Sequence, residues 1–520
     1  MNDSHDELNE EKVRGTRRIN LNIFWFLIIL LSTIILTAVI TALSIDGRTE
    51  RAVNVGTDTR QEFAKLYNVY DTITKEYYTD VDKEQLIEKS IKGMVEGLDD
   101  PYSEYMSIDE TAKFEESITG EFEGIGTEIM QENNVIVVSS PIKGSPAEAA
   151  GIQTGDKIVK VNGKSIEGVS TSEAAAMIRG KKGTEVTLTI IRGSDKPFDI
   201  KIKRDKIHID SVTYEEKDDI GYISINRFQE GTSDELQKYL DQAAEDDVKD
   251  IIIDFRNNPG GLLNEALAMI NQFVPKGETL LYLEYAGKTR EVVNAQVEQN
   301  PSTKHFDNIY ILVNEGSASA SEVFTGALMD LTDAEVVGNK TFGKGIVQTT
   351  SEFKDGSLVK YTNSKWLTPN ETWVHGKGIE PDFVINTPDY TRVKYLDSSE
   401  VYVIGQENDD ILSIKVALDA LGFDIKSFDN IFDENLELEV KKYQTKHNIE
   451  TSGFVTGKTT EQLMVDLRNH IKENDTQLNQ LMDYIKGEKT KEEVTKEMEE
   501  NSKHIPVNND RSLDEEESEE

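Results

Sequence analysis

Two short stretches carry residue types and spacings that could do chemistry. "NEGSASASEVF", residues 314–324, sets three serines between an apolar strand-like run, "NIYILV", and a helix-like run. "KTFGKGIVQ", residues 340–348, sets Lys344 between two glycines amid apolar neighbours, with Gln348 four positions on. A serine hydroxyl becomes a strong nucleophile only when a base takes its proton. The seven histidines, His5, His208, His305, His375, His447, His470 and His504, are the first place to look, but His5 lies before the uncharged stretch, His447, His470 and His504 fall in the last unit or the tail, and nothing frames His305 or His375 as a base. A lysine at its ordinary pKa of about 10.4 is charged at neutral pH and cannot accept a proton. Burial disfavours the charged form, and a shift of about three units corresponds to roughly 4 kcal/mol. The glycines flanking Lys344 permit the close packing that such burial needs, and Gln348 can hold a neutral amine by a hydrogen bond. By local pattern alone Ser317, Ser319 and Ser321 have equal claim to be the nucleophile.

The elements that must position these residues follow from the rest of the chain. At 520 residues the length suggests about three folded units. A net charge of −40, from 57 basic and 97 acidic residues, argues against a nucleic-acid partner, since a phosphate backbone would repel it. Cysteine is absent, which removes disulfides, thiolate metal sites and cysteine nucleophiles. Between Arg18 and Asp46 there is no charge, a stretch long enough for a helix to cross a bilayer. Lys12, Arg14, Arg17 and Arg18 precede it, so the positive-inside rule keeps residues 1–20 in the cytoplasm, makes 21–45 a single span and sends the rest outward. A cleaved signal peptide, with "ALS" at 42–44, is the alternative, although its apolar region would be unusually long.

Residues 57–117 read as helical, with Phe63, Leu66, Tyr70, Ile73 and Tyr77 on one stripe and "DDPYSEYM" as a stop. Residues 118–204 run strand, Gly-rich loop, strand, turn, strand, short helix and hairpin, with "EVTLTIIRG" as an edge strand. The segment "GSPAEAAGIQTGDKIVKVNG" resembles a PDZ domain. That resemblance implies a peptide added as an extra strand, its terminal carboxylate held by amides of Glu123, Gly124, Ile125 and Gly126. From 206 to 390 strands and helices alternate, which predicts an α/β sheet with helices on its faces. Residues 400–470 form short helices whose "VALDALGF", "VKKYQTKHNI" and "GFVTGKTTEQL" stations resemble a small peptidoglycan-binding domain, with "YQ" for the usual "FQ" and "SG" for the usual "DG"; a plain three-helix interaction module is the alternative. Charge dominates the end of the chain, so residues 485–520 are expected to be disordered.

"LDDPYSEYM", the PDZ-like segment, "DFRNNPGG", "EGSASASE", "FGKGIVQ" and "GKGIEPD", in that order, resemble the C-terminal processing peptidases, also called tail-specific proteases, over residues 57–390. The resemblance implies a multidomain α/β protein with a peptidase core of the ClpP/crotonase type. It ranks Ser319 as the nucleophile, Lys344 as the general base and Gln348 as its orienting partner. The backbone N–H of Ala320, at a helix start, and that of Gly260 or Gly261 would then form an oxyanion hole. It implies no metal or cofactor, protein substrates with exposed, apolar C-terminal tails, and assembly into a homodimer through flanking helices. PDZ occupancy is expected to gate the site, with Arg179, Lys181 and Lys182 as a contact to the catalytic unit. A non-catalytic scaffold tethered to the cell wall is the competing reading.

Overall fold

A computed structural model describes residues 63–505 apart from 133, 194, 288 and 289. The expected membrane span at 21–45, the cytoplasmic segment 1–20 and the acidic end beyond 505 lie outside the described residues. Among those described, no helix is long and apolar enough to cross a membrane. The chain divides into a unit ending at Ile87 and one beginning at Glu88. The first holds α1 (Ala64–Glu76), which buries none of its side chains and leaves Leu66 and Val69 exposed, as is Tyr77 just beyond its end. Helix α2 (Lys83–Glu96) crosses the boundary and ends before Pro101.

The second unit opens with β1 (Glu104–Met106) and α3 (Ile108–Thr119). Ser107 and Glu110 cap α3 reciprocally, and Gly120 closes it at φ 65°. The PDZ-like segment comprises β2 (Glu121–Gly124), β3 (Thr127–Glu132), β4 (Val135–Pro141), α4 (Pro146–Ala149), β5 (Lys157–Val161), β6 (Lys164–Ser165), α5 (Thr171–Ile178), β7 (Glu185–Ile191), β8 (Phe198–Lys203) and β9 (Asp205–His208). Its antiparallel sheet runs β3-β4-β5-β7-β8, with β6 on β5, while β2 pairs with β9 apart from it. The expectation that 185–191 is an edge strand is corrected: β7 lies between β5 and β8, because Phe198–Lys203, "FDIKIK", alternates apolar and polar residues and supplies a further strand. Its two edges are β3 and β8.

The peptidase-like segment comprises β10 (Val212–Lys217), β11 (Ile220–Ile225), α6 (Thr232–Glu245), β12 (Asp250–Asp254), α7 (Leu263–Ile270), β13 (Thr279–Tyr285), β14 (Glu291–Asn294), β15 (Asn308–Val313), α8 (Ala320–Leu331), β16 (Glu335–Gly338), β17 (Ile346–Glu352), β18 (Leu358–Leu367) and β19 (Phe383–Val384). The main sheet runs β10-β11-β12-β15-β16-β19 and is parallel from β11 onward. Both faces of its central strands are covered, which is why "DIIID" and "NIYILV" are continuous apolar runs. Ile251 and Ile253 face a core shared with α6, α7 and α8, and Ile252 faces the opposite core. A second, antiparallel sheet, β1-β18-β13-β14 with β17 on β18, carries the segment after Lys344.

Helices α9 (Asp409–Ala420), α10 (Glu434–Lys446) and α11 (Lys458–Glu473) enclose their own core of Ile411, Ile414, Leu418, Leu436, Val440 and Tyr443. Then α12 (Thr476–Ile485) and α13 (Lys491–Asn501) return to the main sheet, where Leu481, Val494 and Met498 pack on Ile252, Leu312 and Val337. The disorder expected from residue 485 is therefore corrected for 485–501. Net charge hid two apolar residues four apart and the Thr490–Glu493 capping box that starts α13.

Candidate active site

The serine-rich segment folds as a strand-to-helix elbow between β15 and α8. Ser319 is at its apex with φ 55° and ψ −112°; among the described residues every other non-glycine residue at positive φ except Glu371 is an Asp or Asn. A serine held there carries backbone strain that its surroundings must maintain. The neighbouring serines are spent on that task. Ser317 Oγ donates to the Phe255 carbonyl at 2.8 Å and Ser321 Oγ to the Asn258 carbonyl at 2.9 Å, and both side chains are fully buried. Ser319, by contrast, lines a cavity of about 520 Å³.

The loop after β12 closes on this elbow. A Cβ on Gly260 would stand 2.7 Å from the Ala318 carbonyl oxygen and 2.8 Å from the Ala320 nitrogen, so only glycine permits the approach. The Gly260 N–H is taken by Asn258 Oδ1 at 2.9 Å. The N–H groups of Gly261 and Ala320 have no acceptor among the described residues. Of the two glycines proposed by sequence, Gly261 thus keeps a free donor and Gly260 provides contact. Arg256, paired with Asp254 and with Asp475 at the start of α12, anchors the same loop.

Lys344 and Gln348 line the same cavity as Ser319. Burial, reinforced by the nearby positive charge of Lys360, pulls the Lys344 amine down to about 8. Gly345 makes this burial feasible: a Cβ there would lie 2.7 Å from the His375 nitrogen. The Lys344 and Gly345 carbonyls are held by the indole N–H groups of Trp366 and Trp373. In this conformation Lys344 Nζ lies over the Tyr102 ring, 4.7 Å from its centroid, and Gln348 Nε2 donates to Thr362 Oγ1 at 3.2 Å. Thr362 in turn donates to Asp100 at 2.7 Å. The three residues therefore share a cavity, while the amine rests beside Tyr102 rather than on the serine.

Sequence reasoning missed Glu322. It is fully buried on the first turn of α8, and its carboxylate accepts from Ser319 N–H at 2.9 Å, Lys344 N–H at 2.8 Å, Gly343 N–H at 2.7 Å and Thr341 Oγ1 at 2.5 Å. Burial holds this carboxyl above its usual range although four donors oppose the shift. One side chain thus ties the elbow to the lysine loop. The signal was present, because Glu three residues after a helix-starting Ser is half of a capping box.

Neither His305 nor His375 lines the cavity. His305 contacts Lys249 and Asp247, and His375 stacks on Trp373 and accepts the Gly345 N–H. Among the described residues His208, Asp210 and Glu235 come together as the one cluster with metal-ligating types. Glu235 is already engaged there, accepting from Ser211 and Val212 N–H groups and bonding His208 at 2.8 Å, so the cluster serves as a junction between β9 and α6.

A second cavity of about 490 Å³ lies between the free β3 edge and α5. Gly124, Ile125 and Gly126 line it and Glu123 does not, being exposed on β2 opposite Lys206. The N–H groups of Ile125 and Gly126 have no acceptor among the described residues. Arg179, also on this wall, pairs with Glu116 of α3 at 2.9 Å, and Lys182 pairs with Asp205. Helix α3 also supplies Phe114 and Ser117 to the serine cavity, so it stands between the two.

Comparison with known proteins gives consistent matches. Family models described as peptidase family S41, PDZ domain, activating protease CtpB N-terminal domain and peptidoglycan binding domain match residues 219–385, 111–191, 40–111 and 407–463. A protein named "Probable CtpA-like serine protease" from Staphylococcus saprophyticus is 45% identical over 480 residues, 92% of this chain and 97% of that one. Its namesake in Staphylococcus aureus is 44% identical over 477 residues, 92% of this chain and 96% of that one. A solved structure of the photosystem II D1 C-terminal processing protease is 26% identical, covers 62% of this chain and 86% of that one, and has a TM-score of 0.37.

Proposed function

The chain belongs to peptidase family S41 as a CtpA-like serine protease with a PDZ domain, and from that membership we propose a membrane-anchored endopeptidase that captures C-terminal tails and cleaves with a Ser319–Lys344 dyad assisted by Gln348. The observation that carries this reading is the convergence of Ser319, Lys344 and Gln348 on one cavity beside two unpaired backbone donors. In the reaction the Lys344 side chain turns from the Tyr102 ring to the serine, and Gln348 exchanges Thr362 for the amine. Neutral Lys344 takes the hydroxyl proton as Ser319 Oγ attacks the peptide carbonyl. The oxyanion forms against the N–H groups of Ala320 and Gly261. The ammonium then protonates the leaving amine, and water hydrolyses the acyl-serine by the reverse path.

The tail enters as a strand on the β3 edge, its carboxylate at the Ile125 and Gly126 N–H groups and its apolar side chains toward Ile129 and Ile178. Occupancy is read by the catalytic cavity through Arg179, Glu116 and α3. The exposed apolar stripe of α1 is the surface for a second copy, and the uncharged segment 21–45 is the anchor. An ectodomain preparation incubated with an unfolded protein ending in apolar residues is expected to cleave it, and Ser319→Ala to abolish cleavage. Absence of cleavage by the wild type would leave only a binding scaffold.

Helices α9 to α11 hold the enzyme at the cell wall by binding peptidoglycan. Cosedimentation with purified peptidoglycan is expected to fall to background when residues 400–470 are removed. The deletion must retain α12 and α13, because Leu481 and Val494 complete the core beneath the main sheet. Undiminished binding by the shortened protein refutes this assignment.

A further inference from the structure

In a chain of net charge −40, no Asp or Glu among the described residues lines the catalytic cavity, whereas Arg227, Lys344 and Lys360 do. Two of these cations are accounted for. Lys344 is the amine whose charge burial suppresses, and Lys360 is paired with Glu104 and lies over the Phe114 ring. Arg227 is different. It is half-buried, no carboxylate pairs with it among the described residues, and the one hydrogen bond of its guanidinium there is a long 3.5 Å contact to the Ser117 carbonyl. A guanidinium keeps its charge and presents a planar fork matched to a carboxylate. Leaving it unpaired beside apolar walls is unfavourable, and Leu262, Val323 and Trp366 are such walls.

Its position is set by the backbone. The next residue, Phe228, donates its N–H to the Gly260 carbonyl at 3.1 Å and accepts the Leu262 N–H at 2.8 Å. Arg227 is therefore fastened alongside the Gly260–Gly261 turn that faces Ser319. A substrate residue close to the scissile bond passes within reach of it.

We propose that Arg227 is a specificity-determining residue that selects peptides bearing a carboxylate next to the scissile bond, supplied by an acidic side chain or by the free chain end. The inference rests on the peptidase reading above and adds a local charge rule to the apolar tail preference of the PDZ groove. A charge-assisted pair in a partly dry cavity supports about 10- to 100-fold discrimination.

The test uses matched peptides with one cleavage site. Neutral, acidic and lysine residues are placed in turn on either side of the bond, each peptide made as a free acid and as a C-terminal amide. The wild type is expected to favour a carboxylate-bearing peptide, acidic over neutral at one position or free acid over amide, by at least about tenfold in kcat/KM. That ratio should approach one in Arg227→Gln, persist in part in Arg227→Lys, and give way to preference for the lysine peptide in Arg227→Glu. A preference for the acidic over the neutral residue that is retained in the amide series identifies a side-chain carboxylate, and a preference for free acids over amides that is lost in Arg227→Gln identifies the chain end. The PDZ groove contributes equally to wild type and variants and cancels in the comparison. A wild type that prefers neither the acidic over the neutral peptide nor the free acid over the amide, or whose preference is unchanged in Arg227→Gln, overturns this inference alone. Failure of the wild type to cleave any peptide overturns the peptidase reading and this inference with it.

Discussion

Lys344→Met is expected to lower kcat/KM on a tail-bearing substrate by on the order of 10⁴-fold while leaving Tm unchanged or raised. The two halves of this expectation have one cause. The amine is buried enough to be pulled to about 8, and the difference from an unfolded value of about 10.4 corresponds to about 3 kcal/mol. Methionine fills similar volume without a charge to desolvate. The folded pKa lies below the unfolded one, so the native state binds fewer protons between about 8 and 10.4. Wild-type stability therefore rises relative to Lys344→Met across that window and is at its greatest disadvantage below it. Activity moves in the same direction for a separate reason, because only the neutral amine is a base. Wild-type kcat/KM should climb through an apparent pKa near 8 and level off above it. Thermal unfolding of both proteins at pH 7 and pH 10, with a pH–rate profile, checks both halves. A methionine variant that keeps activity, or a profile that falls through pH 8, contradicts lysine as base.

Which parts of this site were legible in the sequence follows from how local their causes are. Lys344 between glycines, the elbow after an apolar strand and the glycine pair in "NNPGG" are local patterns, and each falls on the cavity. The choice among Ser317, Ser319 and Ser321 was not local. It depends on the Phe255 and Asn258 carbonyls, 62 and 63 residues away, which bind the outer two hydroxyls and leave the middle one facing the cavity. Gly260 and Gly261 were equivalent on paper, and only the Asn258 side chain distinguishes their N–H groups. The course of the chain after 485 was misread because composition averages over positions. Val494 and Met498 are few, but they close a core whose other side is the β12–β15 sheet, and that surface has no trace in the local sequence. Arg227 carries no motif, and its meaning comes from the absence of acids around the cavity.

Glu322→Gln is expected to reduce kcat by about 10²- to 10³-fold with little change in KM, and to lower stability by roughly 2–4 kcal/mol. The carboxylate offers two oxygens to four donors: Ser319 and Lys344 N–H share one, Gly343 N–H and Thr341 Oγ1 the other. Glutamine supplies one oxygen. Whichever way its amide is turned, an NH₂ group then faces at least one buried backbone N–H that has lost its acceptor, and each orphaned donor costs on the order of 1–3 kcal/mol. The loss falls at the two points that must stay in register, because the same side chain fixes the backbone of nucleophile and base. Glu322 does not line the cavity, so ground-state binding should be largely spared. A stability defect alone would scale the rate and leave its pH dependence in place. Here the charge of Glu322 also helps hold a proton on Lys344, so its removal should move the midpoint of the pH–rate profile below 8. A variant with lowered Tm, an unmoved midpoint and full kcat on the folded fraction would reduce Glu322 to a packing residue.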